Sequence, residues 1–148
     1  MGNSYLKFLV MIFVSTVAMF VMMYLNTYEL DHVFFSQTRL YMAIMMGAAM
    51  AFLMMAFMWG MYREKRRNAA VLAVSVVVFA ICLWLVRSQK TIKDVAWMKA
   101  MIPHHSIAIM TSSRANISDP RVRDLADRII KAQVEEIEEM KTLINNLD

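Results

Sequence analysis

Charge disappears from this chain in three long stretches, residues 8–28, 40–62 and 68–86. A helix crosses the hydrocarbon core of a membrane, roughly 30 Å, with about 20 predominantly apolar residues, and each stretch is long enough to do so. Lys7 ahead of the first stretch resembles the start of a secretory leader. That apolar run exceeds the roughly 7–15 residues of a leader's core, however, and no small-x-small cleavage site follows it, so it is read as a span. Beyond Val86 polar and apolar positions mix, with almost no strand-like alternation. The pattern predicts helix over residues 90–101, able to continue the third span, and a second helical stretch over 104–116. A third runs from Pro120 to Leu147, with Asp119 as N-cap and Pro120 in the first helical position. Pro103 lacks a backbone donor and disfavours helix at Ile102, so a kink or a restart is expected there. Acid-first pairs four residues apart, Asp124 with Arg128 and Asp127 with Lys131, support the last helix on its solvent side. The fold class is therefore all-α: a transmembrane region over residues 1–87, then a small helical domain over residues 88–148.

Composition agrees. Of 148 residues 59% are hydrophobic and 19% charged, with a mean hydropathy of +0.46, whereas a soluble domain carries about 25% charge. Gly occurs only at Gly2, Gly47 and Gly60, so there is no glycine-rich phosphate loop and nucleotide chemistry is not expected. From Arg87 onward ten basic residues face nine acidic ones, which leaves no nucleic-acid footprint. A lone Cys82 in an apolar run excludes an intrachain disulfide and a cysteine-rich zinc site. The connection 62–68 holds Arg63, Lys65, Arg66 and Arg67, whereas 29–39 holds Glu29, Asp31, His32 and Arg39. Basic connections stay cytoplasmic, so the N-terminus is expected inside and residues 29–39 and the tail on the opposite face. Arg87, Lys90 and Lys93 are the opposing signal. In a bacterial inner membrane the tail would then be periplasmic.

On a helical wheel of about 100° per residue, the last helix gathers Val122, Leu125, Ile129, Gln133, Glu136, Met140, Leu143 and Leu147 into one arc. Gln133 and Glu136 are thereby expected among apolar neighbours, where a polar group without a partner costs several kcal/mol. Either an interhelical hydrogen bond or a binding site would satisfy them. Upstream, a continuous helix would set Asp94, Met98, Met101 and His105 on one face, with His104 turned a quarter turn or more away. Imidazole suits copper among other metals, and thioether sulfur selects Cu(I) or Ag(I) over zinc. A methionine at helical spacing is equally an ordinary core filler, and a histidine an ordinary surface residue. Glu136 and Asp94 have the further option of orienting a ligating imidazole without touching metal.

Asp94, Met98, the segment Met101-Ile-Pro-His-His105 and Met110, followed by Gln133, Glu136-Ile137 and Met140, resemble the domain-of-unknown-function-305 family, also called CopM-like. The likeness covers residues 92–144. It implies a ferritin-like helical domain, often exported, some members of which bind copper or silver through Met and His in metal tolerance. Carried onto this chain, the implied ligands of Cu(I) or Ag(I) are Met98, Met101, His104, His105, Met110 and Met140, with no role assigned to Gln133 and Glu136. Longer members repeat the helical unit to complete a four-helix bundle. This tail has one copy, and a domain near 60 residues is marginal, so half a bundle is expected to pair with a second copy in a homo-oligomer. The expected process is binding, not catalysis. A metal-free alternative uses the same residues: Gln133, Glu136 and the histidines as a hydrogen-bonded core that sets oligomer assembly. A ferritin-like oxidoreductase fits least, since a di-iron bundle wants Glu-x-x-His pairs and neither His104 nor His105 follows a Glu at that spacing.

Eight of the 17 methionines lie in the second span, and Met42, Met46, Met50, Met54 and Met58 recur every fourth residue. Ala43, Gly47 and Ala51 share that spacing and would let another helix approach closely. Packing is the preferred reading over an ion-conducting thioether ladder, because no ionisable residue interrupts a span. Glu29, Asp31 and His32 offer a small accessory metal set but are read as a solvated loop. Trp59, Trp84 and Tyr62 suit anchoring at the lipid interface, and Trp97 core or interfacial packing.

Overall fold

The computed structural model describes residues 2–147, with side chains from Ser4 onward. Its helices are α1 (Gly2–Met22), α2 (Gln37–Phe57), α3 (Lys65–Ser88), α4 (Asp94–Arg114) and α5 (Pro120–Leu147), with 3-10 turns at Leu30–His32 and Trp59–Met61 and no strand among the described residues. The segments Ser4–Met22, Gln37–Phe57 and Lys65–Ser88 are long and apolar enough to cross a membrane. The chain divides into two compact units, Met1–Met22 with Thr38–Thr91 and Met23–Gln37 with Ile92–Asp148. This departs from a simple cut after residue 87, because the connection between the first two spans folds with the tail.

In the unit that holds the three long apolar helices the small residues form the seam. Ala43, Gly47 and Ala51 of α2 are buried, and a Cβ added at Gly47 would collide with the Thr16 hydroxyl of α1. That hydroxyl is itself committed, donating to the Ile12 carbonyl at 2.8 Å. Phe8 and Met55 are fully buried and pack with Tyr5, Ile12, Tyr62 and Val71. The every-fourth-residue methionines lie beside the seam, partly exposed, with Met42 among the exposed residues. At the basic end Asn68 is completely buried yet satisfied. Its Nδ2 donates to the carbonyls of Trp59 (3.2 Å) and Tyr62 (3.1 Å), and its Oδ1 accepts from the Tyr5 hydroxyl at 2.8 Å.

In the tail unit the helices do not run as the proline and the spacing suggest. α3 stops at Ser88 because Gln89 takes a left-handed conformation (φ 52°) and donates its N–H to the Leu85 carbonyl, so the third span does not continue into the tail. α4 passes through Pro103 without interruption. The ring has no N–H for the Lys99 carbonyl, but Ile102 and Pro103 are both fully buried, and packing outweighs the lost backbone bond. The core joins Met98, Ile102 and Ile109 of α4 to Ile137, Met140 and Ile144 of α5. Asp119 caps α5 as expected, its Oδ1 accepting the Arg121 N–H at 2.8 Å. Of the two acid-first pairs, Asp124 and Arg128 meet at 3.1 Å, while Asp127 pairs with Arg123 at 2.8 Å.

The buried arc of α5 is not the expected one. Ala126, Ile137, Met140 and Ile144 face inward, whereas Val122, Leu125, Ile129, Leu143 and Leu147 are exposed. At 3.6 residues per turn the two arcs differ by roughly 60°. The apolar sector is wider than one neighbouring helix can cover, and α4 takes one flank of it.

Candidate functional site

Each tail residue singled out in the sequence has a definite place. Met98 and Met140 are buried, 4% and 6% exposed, in the same apolar cluster, so two thioethers from different helices share one core. Met101 is half-buried and packs against that cluster. His105 stands one turn beyond Met101, its Nδ1 3.0 Å from the Met101 carbonyl oxygen. Its Nε2 lies 2.7 Å from Glu136 Oε2, which joins α4 to α5. A carbonyl only accepts, so the Met101 contact calls for the proton on Nδ1, and Nε2 is the ring nitrogen turned to Glu136.

Glu136 and Gln133 correct an expectation. Glu136 is about half exposed and Gln133 is half-buried, because the rotation of α5 moves them from the middle of the buried face to its flank. Gln133 Nε2 comes to 3.5 Å from Glu136 Oε2. Asp94 is not a core polar group either: it is the exposed first residue of α4, where a carboxylate complements the positive end of the helix dipole. Trp97 is exposed rather than in the core. His104 is exposed, its ring edge-on to His105 at a centroid distance of 6.1 Å. Met110 is half-buried. Met98 and Met140 thus lie in the α4–α5 core with Met101 against it, and His105 joins the two helices through Glu136. Three thioethers and an imidazole match the donor preference of a soft monovalent ion, and binding through His105 Nε2 would require Glu136 to release it.

The interspan segment was undervalued in the sequence. His32 is 6% exposed, not a solvated loop residue. Its Nδ1 lies 3.0 Å from the Ser106 hydroxyl of α4, which also accepts the Tyr28 N–H at 2.7 Å. Nearby, Lys141 of α5 donates to Asp31 Oδ2 at 2.7 Å and to Glu138 at 3.2 Å. The hydrogen bond from Lys141 holds the Asp31 carboxyl below its ordinary value of 3.8. Partial burial pulls the Lys141 ammonium down, but the bonds to Asp31 and Glu138 outweigh it and leave its pKa raised. Among the described residues, Glu29, Asp31 and His32 bring one ligand atom each within 4.8 Å of one another. The spacing Glu-x-Asp-His was the visible signal; burial against Ser106 was not.

Residues 84–146 match the family model for a domain of unknown function, DUF305. Nearly the whole chain is similar to the uncharacterized protein L153 of Acanthamoeba polyphaga mimivirus, 30% identical over 145 residues and covering 91% of each. That similarity takes in the spans as well as the tail. No solved structure matches.

Proposed function

The chain belongs to the DUF305 family, and from that premise we propose that it is a membrane-anchored binding protein for a soft monovalent ion, Cu(I) or Ag(I), of the CopM-like kind. The reading rests on one observation: Met98 and Met140 come from separate helices into one cluster, with Met101 packed against it and His105 one turn away. Glu136, hydrogen-bonded to His105, orients the imidazole in the ion-free protein. The role is sequestration or handover at the non-cytoplasmic face, the periplasm in a bacterial inner membrane, without turnover. Purified protein should compete with a chromophoric chelator for Cu(I). Replacing Met101 by Leu and His104 and His105 by Gln together should weaken that binding about a hundredfold or more with helicity unchanged. Unaltered copper affinity in that variant defeats the assignment.

A second reading, assembly of the tail with another copy of itself, is favoured by the uncovered apolar arc of α5. Val122, Leu125, Ile129, Leu143 and Leu147 are 37–60% exposed, a flank that a helical partner would bury. Leu125→Glu with Leu143→Glu should then reduce particle size in detergent with or without metal, and an unaltered size counts against it.

A further inference from the structure

We propose that Glu29, Asp31 and His32 form a binding site for a divalent first-row transition ion, separate from the sulfur-rich corner of α4 and α5 in place and in donor chemistry. Local geometry assembles the three. In the 3-10 turn Leu30–His32, side chains three residues apart eclipse, which sets Glu29 and His32 on one side, and the His32 N–H bonds back to the Glu29 carbonyl at 3.3 Å. The His32 side chain is 7% exposed and points Nε2 at Asp31 Oδ1 (3.7 Å) and Glu29 Oε2 (4.0 Å). Both distances are too long for a hydrogen bond, so neither carboxylate is committed to that nitrogen. Ser106 governs the rest of the ring: in the tautomer whose Nδ1–H donates to its hydroxyl oxygen, the Nε2 lone pair is left to meet an ion held between the carboxylates. An outer hydrogen bond that selects the tautomer in this way is the usual companion of a metal-bound imidazole.

The spacing and the charge both fit. Ligand atoms held about 2.0–2.1 Å from a tetrahedral ion lie roughly 3.3 Å apart, so small rotations of two exposed carboxylates close the set around a fixed imidazole. Lys141 occupies Asp31 Oδ2 and leaves Oδ1 for the ion. The carboxylates of Glu29, Asp31 and Glu138 against the Lys141 ammonium leave two negative charges, which a divalent cation neutralises. A cavity of about 90 Å³ beside the cluster, lined by Tyr28, Glu29, His32, Val134, Ile137 and Glu138, has room for water to complete the coordination. One imidazole and two carboxylates without sulfur select a borderline divalent ion over Cu(I) or Ag(I).

The test is Zn2+ competition against a chromophoric chelator, on the full chain in detergent after removal of metal. Glu29→Gln and His32→Gln should each weaken Zn2+ binding about tenfold or more, while the His104→Gln/His105→Gln double variant leaves it unchanged. Glu29 is largely exposed, so its variant folds normally even if the buried His32 replacement disturbs the segment. Absence of Zn2+ binding by the unaltered protein overturns the proposal, as does full affinity in Glu29→Gln, or a loss that appears only with the His104/His105 variant. Cu(I) titrated in parallel should be unaffected by Glu29→Gln, so the two sites stand or fall separately.

Discussion

Ser106 illustrates how much a single hydroxyl organises. It is completely buried and serves both the Tyr28 N–H and His32 Nδ1, groups 78 and 74 residues away in the chain. Ser106→Ala strips the buried His32 ring and the partly buried Tyr28 N–H of their shared partner, a loss of about 1–3 kcal/mol. Amide exchange at Tyr28 should accelerate in that variant; exchange at the native rate would show that the hydroxyl does not hold the segment. Gly47 works by absence. With the Thr16 hydroxyl where a Cβ would stand, Gly47→Leu should force α1 and α2 apart at a cost of about 1–3 kcal/mol. Thermal unfolding in detergent should show the drop, and Thr16→Ala in the same chain should recover part of it. The small-residue spacing of α2 was legible as a packing seam because it is a property of one helix. That Thr16 faces Gly47 was not, because it depends on how two helices align.

Helix α5 shows what an amphipathic pattern can and cannot say. Its start was readable from Asp119-Pro120, since capping depends on residues adjacent in sequence. The Asp119 carboxyl is held below its ordinary value of 3.8 by the Arg121 guanidinium and then by the Arg121 backbone N–H. A depressed carboxyl stabilises fully above its unfolded value and loses that contribution as pH falls through the folded one. The first turn of α5 should therefore fray below pH 3.8, seen as faster exchange at Arg121 and Val122. Asp119→Asn, which still caps, should remove the pH dependence. The inward arc was misplaced because the apolar sector of α5 is broad, and a wheel has no means to choose which flank meets α4. Gln133 and Glu136 moved with it, from supposed core to edge. Pro103 misled in the opposite sense: a local rule against helix yielded to the burial of Ile102 and Pro103 between α4 and its neighbours.

For the whole molecule, the folding of residues 23–37 with the tail has consequences for sidedness and for pH. If each of the three long apolar helices crosses a membrane, cysteines placed at Leu30 and Leu147 in a Cys82→Ala background should react alike with a membrane-impermeant thiol reagent. One at Arg66 should react only from the opposite side; equal reaction of all three would refute the arrangement. The Asp31–Lys141 link, flanked by Glu29, His32 and Glu138, holds fully above pH 3.8, where Asp31 is ionised, and weakens as pH falls below it. At the other end the raised Lys141 keeps its contribution up to pH 10.5 and loses it beyond. NMR signals of Leu30 and Val33 should shift across the acid limit, and Lys141→Met should flatten that response. Length, hydropathy and caps were enough to read three long apolar helices, an all-helical chain and a basic connection, since each depends on neighbours along the chain. The methionines and histidines of α4 and α5 were nameable for the same reason. Their grouping, the exposed flank of α5 and the burial of His32 arise where distant segments pack. Burial is a property of a residue's surroundings, and no local spacing encodes a neighbour 74 residues away.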